Sequence, residues 1–95
     1  MFFQKNVLRK NVRFYGEVQG VGFRFQAQCA ARRFGATGWV KNEYDGSVTM
    51  EIQGTECQIH DVIAEIDSDP YIQIESMKTE WITPEPGEKG FRVRY

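Results

Sequence analysis

The sequence predicts an α+β sandwich in which two helices cover one face of an antiparallel sheet. Two observations carry this prediction: several segments alternate apolar and polar residues as half-buried strands do, and two others repeat apolar residues at helical spacing. A chain of 95 residues has the size of one domain. Its hydrophobic fraction of 41%, with seven Phe, is typical of a chain that folds around a core rather than of a disordered chain.

The first predicted strand and helix are joined by a glycine-containing turn. Apolar and polar residues alternate over residues 12–18, which predicts the strand. The apolar face of the helix consists of Phe23, Ala27, Ala30, Ala31 and Phe34. Gly35 follows as a predicted C-cap, because glycine readily adopts the left-handed conformation that ends many helices. Residues 1–10 show no clear period, so we expect a flexible leader before a single domain of residues 11–95.

A β-hairpin is predicted next. Residues 38–42 read as the second strand, and residues 47–53 alternate as the third. Between them, Asp45 and Gly46 form a strong hairpin signal, since both residue types tolerate positive φ.

The second half of the chain predicts another helix and two more strands. Thr55 and Gln58 have the spacing of a capping box, and an apolar stripe follows them until Pro70. Residues 71–81 are rich in strand formers but their alternation falters midway, which predicts a long or bulged strand. Residues 91–95 supply a last short strand. The order of strand, helix, strand, strand, helix, strand is that of the split βαβ, or ferredoxin-like, arrangement.

The balance of charge excludes several classes of partner. With 12 basic and 13 acidic residues the net charge is -1, which gives no bulk attraction to nucleic acid or to an anionic membrane. No apolar run is long enough to cross a bilayer, and the first ten residues lack the features of a secretory signal. We therefore expect a cytoplasmic protein without nucleic-acid or membrane partners, in which any anion site is built locally.

The cysteine and histidine content argues against a metal site. Cys29 and Cys57 form no CxxC pair, and His60 is the only histidine. We expect two buried free thiols, although counting alone leaves a disulfide between them open.

The segment from Gly16 to Arg24, GEVQGVGFR, places a glycine-containing turn between a strand and a helix N-terminus. Such a turn presents free backbone N–H groups, and the helix dipole adds positive potential, so the segment is suited to an oxyanion. Arg24 falls in the first helical turn, where the dipole disfavours a cation unless an anion is bound. A surface arginine on an ordinary turn is the competing interpretation. The spacing is neither that of a Walker loop nor that of a dinucleotide-binding motif.

The second candidate residue is Asn42, at the end of the second predicted strand. Its simplest role is a turn-capping amide. In a split βαβ fold, the hairpin geometry could instead bring Asn42 toward the mouth of the loop of residues 19–24.

Two segments, GEVQGVGFR at residues 16–24 and GWVKNEYDGSV at residues 38–48, resemble the two diagnostic segments of the acylphosphatase family, in the same order. The resemblance spans residues 12–95. It implies a ferredoxin-like fold and hydrolysis of acyl phosphates without a metal or an organic cofactor. It also implies that Arg24 binds the phosphoryl group and that Asn42 positions the attacking water. The phosphate cradle would be formed by the backbone amides of Gln19, Gly20, Val21, Gly22 and Phe23. We expect the free-standing, monomeric form of the family, with a small-molecule acyl phosphate as substrate.

Two alternatives stay open at this point. A ferredoxin-like sheet can also bind RNA, but residues 47–53 lack the aromatic, basic strand that RNA recognition uses. A non-catalytic module that binds phosphate or carbamoyl phosphate would use the same cradle. No residue of the sequence identifies the acyl group.

Overall fold

A computed structural model describes residues 6–95. In chain order the elements are β1 (Leu8–Glu17), α1 (Phe23–Phe34), β2 (Thr37–Asn42), β3 (Val48–Gly54), α2 (Glu56–Asp67), β4 (Gln73–Ile82) and β5 (Phe91–Arg94). This is the predicted order of elements, so the α+β, ferredoxin-like fold class is confirmed.

The five strands form one sheet in the order β4-β1-β3-β2-β5. The pairs β1–β4, β1–β3 and β2–β3 are antiparallel. The pair β2–β5 is parallel, with Gly38 opposite Phe91, so the complete sheet is mixed. The predicted antiparallel sheet therefore describes the first four strands, and the last strand extends it at the β2 edge.

One face of the sheet packs against both helices and forms the core. Opposite residues on neighbouring strands, such as Val12 and Met50, are fully buried on this face. The helices contribute Phe23, Ala27, Ala30 and Ala31 from α1 and Ile59, Val62 and Ile66 from α2. The small alanines of α1 let that helix lie close to the sheet and to α2, which places the N-terminus of α1 at the edge of the core.

Local signals in the sequence set one end of each helix as predicted. Thr55 caps α2 by accepting a hydrogen bond from the backbone of Gln58, whose side chain accepts one from the Thr55 backbone in return. Gly35 ends α1 at φ 77° and donates its N–H to the carbonyl of Ala31.

The irregular fourth strand is confirmed as a bulged one. Tyr15 of β1 lies opposite Ser76, whereas the next residue, Gly16, lies opposite Ile74. Glu75 is therefore an extra residue on β4, which accounts for the loss of alternation in the sequence.

The first strand begins three residues before residue 11, the predicted start of the domain. β1 begins at Leu8, and Leu8, Arg9 and Lys10 all pair with β3. Arg9 is only 3% exposed, since it donates hydrogen bonds to the side chains of Glu51, Gln53 and Glu88. A buried arginine conceals the alternation of a strand, because sequence patterns treat charge as exposure. The first five residues of the predicted leader lie outside the described residues.

The predicted burial of the two thiols is also wrong. Cys29 on α1 and Cys57 on α2 are both exposed and free. Cys29 lies between the buried Ala27 and Ala30, and Cys57 lies two residues before Ile59, the first buried position of α2, so the helical period turns both toward solvent.

Candidate active site

The loop from Val18 to Gly22 connects β1 to α1 and holds its shape through backbone conformation. Val18 is fully buried and anchors the start of the loop. Gly20 and Gly22 have φ of 75° and 83°, in the left-handed region that glycine adopts without strain. A Cβ at either position would meet no protein atom within 4 Å. Glycine is therefore required here for conformation, and the space beside the loop is open.

The N-terminus of α1 carries backbone N–H groups without a side-chain cap. The first turn of any helix leaves N–H groups unpaired, and Gly22, the N-cap of α1, has no side chain to receive them. The N-terminus of α2, by contrast, is capped by Thr55. The first turn of α1 also contains no acidic residue. This end of α1 thus presents hydrogen-bond donors and positive potential that nothing in residues 6–95 neutralises through a cap.

Arg24 lies in this first turn and is half-buried. None of the ion pairs among residues 6–95 involves its guanidinium. Its Cζ lies 5.1 Å from the centroid of the Tyr95 ring, a distance at which a cation is attracted to an aromatic face. The Tyr95 ring therefore lies close to the guanidinium, whose N–H groups stay available for an anion.

Asn42 is the last residue of β2, and its side-chain oxygen is buried without a partner. Oδ1 of Asn42 accepts no hydrogen bond from any group in the described part of the chain. A buried acceptor without a donor costs about 1–3 kcal/mol. Such an atom is expected where a ligand or a bound water supplies the missing donor.

Arg24 and Asn42 line the same cavity, although one belongs to α1 and the other to β2. The cavity has a volume of about 310 Å³. Its lining consists of Val18, Gly20, Gly22, Phe23, Arg24, Phe25, Gln28, Asn42, Val93 and Tyr95. Of the five residues predicted to form a backbone cradle, this set contains Gly20, Gly22 and Phe23 but neither Gln19 nor Val21.

Gln19 acts through its side chain, which the sequence did not reveal. Its Nε2 donates to the backbone carbonyls of Glu43 at 2.7 Å and Ser47 at 2.8 Å. These carbonyls belong to the turn that follows Asn42, so one side chain joins the glycine-containing loop to the β2–β3 hairpin. The only signal in the sequence is an amide side chain directly before a glycine, and its partners are 24 and 28 residues away.

Gln28 makes a second connection across the cavity. Its Nε2 donates to the backbone carbonyl of Phe91 at 3.0 Å, which fixes β5 against α1. This contact brings Val93 and Tyr95 to the cavity. The predicted site lay between the loop and the hairpin, so the contribution of β5 was missed.

The hairpin beyond Asn42 is fixed by Asp45. Hydrogen bonds from the side chain and the backbone of Ser47, together with the nearby Arg13, hold the pKa of Asp45 below its ordinary value of 3.8. The Arg13 guanidinium lies 3.3 Å from the Asp45 carboxylate. The Asp45 carboxylate therefore stabilises the turn of the predicted hairpin. It does not line the cavity.

Within residues 6–95, no three His, Cys, Asp or Glu side chains are grouped so that they could hold a metal ion. Neither α1 nor α2 has the length and the apolar character that a helix needs to cross a membrane.

Comparison with known proteins places the chain in a family. The family model described as acylphosphatase matches residues 10–93. An acylphosphatase of Salinibacter ruber is 39% identical over 87 residues, which cover 90% of this chain and 92% of that protein. The crystal structure of acylphosphatase from Bacillus subtilis has a TM-score of 0.85 at 28% identity and covers 93% of this chain and 99% of that one.

A structure of an acylphosphatase from Coxiella burnetii gives the same TM-score, 0.85, at 31% identity. The match covers 98% of this chain and all of that chain. The residues that match the family model include the whole loop from Val18 to Gly22, Arg24 and Asn42. On the sequence match and the shared fold together, the chain belongs to the acylphosphatase family.

Proposed function

We propose that this chain hydrolyses acyl phosphates to a carboxylate and inorganic phosphate, with Arg24 and loop amides binding the phosphoryl group and Asn42 positioning the attacking water. The observation that carries the proposal is the single cavity that Arg24 and Asn42 share with the uncapped N-terminus of α1. Membership of the acylphosphatase family supports acyl phosphate hydrolysis in general.

The phosphoryl group is bound by donors that are unpaired before it arrives. In the proposed complex, the guanidinium of Arg24 meets two phosphoryl oxygens, and backbone N–H groups of residues 19–23 meet the third. The left-handed conformations of Gly20 and Gly22 support this role, because they turn successive N–H groups toward one side. Charge that spreads over the phosphoryl oxygens in the transition state then meets preorganised donors.

The attacking water is held by Asn42. Its Oδ1 is a buried acceptor without a donor, which supports a hydrogen bond from a water. A water that donates one hydrogen to Oδ1 keeps a lone pair directed at phosphorus. A neutral amide orients the water without adding negative charge beside the phosphoryl group, as an aspartate would.

The leaving group explains why no general acid is needed. An acyl phosphate releases a carboxylate, whose conjugate acid has a pKa of about 4 to 5 by analogy with Asp and Glu side chains. Such a group departs without a proton at neutral pH. No titratable side chain other than Arg24 and Tyr95 lines the cavity, in keeping with this chemistry.

We propose further that the reaction uses neither a metal nor an organic cofactor, and that the chain acts as a cytoplasmic monomer. The donors of Arg24 and the loop supply the charge stabilisation that a metal would otherwise give to the phosphoryl group. A monomer suffices because every residue of the proposed site comes from one chain.

A hydrolysis assay on the parent protein tests the proposed function. We expect turnover of benzoyl phosphate that is unchanged by a chelator and is competitively inhibited by inorganic phosphate. The alternative, a non-catalytic module for phosphate or carbamoyl phosphate, predicts saturable phosphate binding without turnover of any acyl phosphate. That outcome would reject the enzymatic role and retain the anion site.

A further inference from the structure

The face of the sheet that lies opposite the helices carries a row of cations. Arg13 of β1 pairs with Lys78 of β4, and Lys41 of β2 pairs with Arg94 of β5. Thr49 of β3 lies opposite both Arg13 and Lys41, so the four cations share one row across the five strands. Arg13 and Lys41 each directly follow a valine that is buried on the helix side. Because side chains alternate along a strand, this row, here called the cation row, lies on the other face.

Most of the cation row has no anion to neutralise it. Cations that lie directly opposite each other repel, and the row contains two such pairs, Arg13–Lys78 and Lys41–Arg94. The Asp45 carboxylate lies 3.3 Å from the Arg13 guanidinium. Among residues 6–95, no ion pair involves Lys41, Lys78 or Arg94. These three charges are therefore free to meet an external anion.

The acidic side chains near the cation row are mostly bound by another residue. Glu51 and Glu88 both accept hydrogen bonds from Arg9, and Glu88 is also attracted by Arg94. Glu80 is exposed and lies in the neighbouring row of β4. The net charge of -1 sums over the whole chain and does not describe this row. The expectation that the chain has no nucleic-acid partner rested on that net charge.

Two aromatic rings flank the cation row on the same face. Tyr15 of β1 and Trp39 of β2 each lie two residues from a member of the row, and both are half-buried. The Nζ atom of Lys78 is 5.7 Å from the centroid of the Tyr15 ring, and Cζ of Arg94 is 4.4 Å from that of Trp39. Both distances allow attraction between a cation and an aromatic face. Aromatic rings and guanidinium planes are also the surfaces on which unpaired bases stack.

The length of the cation row suits a single strand of nucleic acid. Four spacings between neighbouring strands separate Lys78 from Arg94, which gives about 19 Å at about 4.8 Å for each spacing. Single-stranded sites in proteins combine a positive groove with aromatic rings and take roughly 4–16 nucleotides. A duplex hides its bases inside the helix, so its bases cannot stack on Tyr15 and Trp39. Phosphates on the cations and bases on the rings thus favour a single strand.

We propose that the cation row, together with Tyr15 and Trp39, binds single-stranded nucleic acid without sequence preference. The surface is separate from the proposed active site, because Lys41 and Asn42 are consecutive in β2 and their side chains lie on opposite faces. The two rings belong to β1 and β2, whereas the pattern for RNA recognition is absent from residues 47–53. The proposal goes beyond acyl phosphate hydrolysis and does not depend on it.

Fluorescence anisotropy of a fluorescein-labelled oligothymidylate of about 12 nucleotides measures this binding. Each phosphate contact to a single strand contributes about -0.7 to the slope of log affinity against log salt. Four contacts predict a slope of roughly -3 and a fall in affinity of roughly 50-fold between 50 and 200 mM salt. A variant that carries both Lys41→Gln and Lys78→Gln is expected to halve that slope. Arg32→Gln, which removes an exposed arginine of α1, is the matched control and is expected to keep the parent slope.

Stacking on the rings has its own measurement. Trp81→Phe leaves Trp39 as the only tryptophan, and we expect oligothymidylate to quench its fluorescence. Trp39→Leu is expected to weaken binding by roughly 5-fold or more, the usual effect of losing one stacked base. A duplex of the same length is expected to bind more weakly than the single strand. Thermal unfolding shows whether Trp39→Leu keeps its fold, and Lys78→Gln, at an exposed position, tests the cation row independently of that substitution.

The contrary results are distinct from one another. If the parent does not bind oligothymidylate at about 50 mM salt, or if the double lysine variant keeps the parent slope, the cation row binds no nucleic acid. Equal or tighter binding of the duplex would reject the assignment to a single strand. If inorganic phosphate displaces the oligothymidylate and Arg24→Ala abolishes its binding, the strand is held at the proposed active site instead. Turnover of benzoyl phosphate by Lys78→Gln is expected to equal that of the parent, so failure of nucleic-acid binding leaves the proposed function standing.

Discussion

The side chain of Gln19 donates a hydrogen bond of 2.7 Å to the backbone carbonyl of Glu43. This contact crosses from the loop before α1 to the turn after β2, and it fixes the distance between the two halves of the proposed site. Its second bond, of 2.8 Å to the carbonyl of Ser47, fixes the orientation of the same turn. Arg24 follows the loop and Asn42 precedes the turn, so Gln19 joins the two segments that carry the guanidinium and the amide.

Removal of this connection is expected to slow turnover more than it weakens phosphate binding. Gln19→Leu removes two hydrogen bonds, which costs about 1–3 kcal/mol of stability in total. The carbonyls of Ser47 and Glu43 keep the backbone N–H groups of Glu43 and Gly46 as donors. The loop keeps its donors for phosphate, but Asn42 loses its fixed position relative to them. The measurement is kcat for benzoyl phosphate beside the dissociation constant of inorganic phosphate. Gln73→Leu, at the exposed start of β4, is the control. If Gln19→Leu lost kcat and phosphate affinity equally, the positioning role of Gln19 would be contradicted.

Arg24→Ala is expected to reduce kcat for benzoyl phosphate by at least about 10²- to 10³-fold, the usual effect of removing one preorganised donor. Arg24→Lys is expected to recover only part of the loss, since an ammonium cannot meet two phosphoryl oxygens in one plane. Arg32→Ala removes an exposed arginine from the same helix and serves as the control. Parent-like turnover by Arg24→Ala would exclude its proposed role.

Asn42→Ala is expected to bind inorganic phosphate like the parent and to lose turnover, because the water is no longer directed at phosphorus. Asn42→Asp keeps the shape of the side chain but adds a negative charge, so phosphate affinity is expected to fall as well. Isothermal titration with phosphate and the benzoyl phosphate assay measure the two effects separately. Asn11→Ala, on the opposite face of the sheet, is the matched control. Weakened phosphate binding in Asn42→Ala would point to a binding role instead.

The conformation of the loop can be tested with two glycines that adopt the same left-handed backbone conformation. Gly22 and Gly87 have φ of 83° and 76°, and a Cβ at either position meets no protein atom within 4 Å. Alanine in this region costs roughly 1–2 kcal/mol. Gly22→Ala and Gly87→Ala are therefore expected to lose similar free energies of unfolding by urea denaturation, but only Gly22→Ala is expected to lose activity. If the two variants were equally active, the conformation of the loop would not be needed for catalysis.

The ion pair between Arg9 and Glu88 predicts a loss of stability in acid. Burial by itself would raise the pKa of Glu88, but hydrogen bonds from Arg9 and Thr37 and the attraction of Arg9 and Arg94 outweigh it, so the pKa lies below the ordinary value of 4.5. The folded protein then binds this proton less readily than the unfolded chain does. The stabilisation is present above pH 4.5 and is lost as the pH falls through the lowered pKa of the folded state.

Tm measured from neutral pH down to pH 3 checks this prediction. The parent is expected to lose more Tm over that range than Glu88→Gln, because the variant has no carboxylate to protonate at this position. Glu80→Gln, an exposed residue of β4, is expected to follow the parent. Identical pH profiles for the parent and Glu88→Gln would show that the pair adds no pH-dependent stability.

Most elements were predictable because their signals are local. The capping box of Thr55 and Gln58 and the C-cap at Gly35 each depend on a few adjacent residues, and the structure confirms both. The faltering alternation before Trp81 predicted the bulge that Glu75 produces. The start of β1 was not predictable in this way, since Arg9 is buried by partners 42 to 79 residues away.

The candidate site shows the same difference between local signals and contacts that are distant in the sequence. The sequence by itself determined the order of strands and helices, the family resemblance and the two residues, Arg24 and Asn42, on which the proposed chemistry depends. Only the tertiary structure decided that these residues share a cavity, that Gln19 joins the loop to the hairpin and that Phe25 and Tyr95 complete the lining. The physical reason is that periodicity and caps depend on neighbours along the chain. The burial of Asn42 Oδ1 and the placement of Tyr95 depend instead on which strands pair across the sheet.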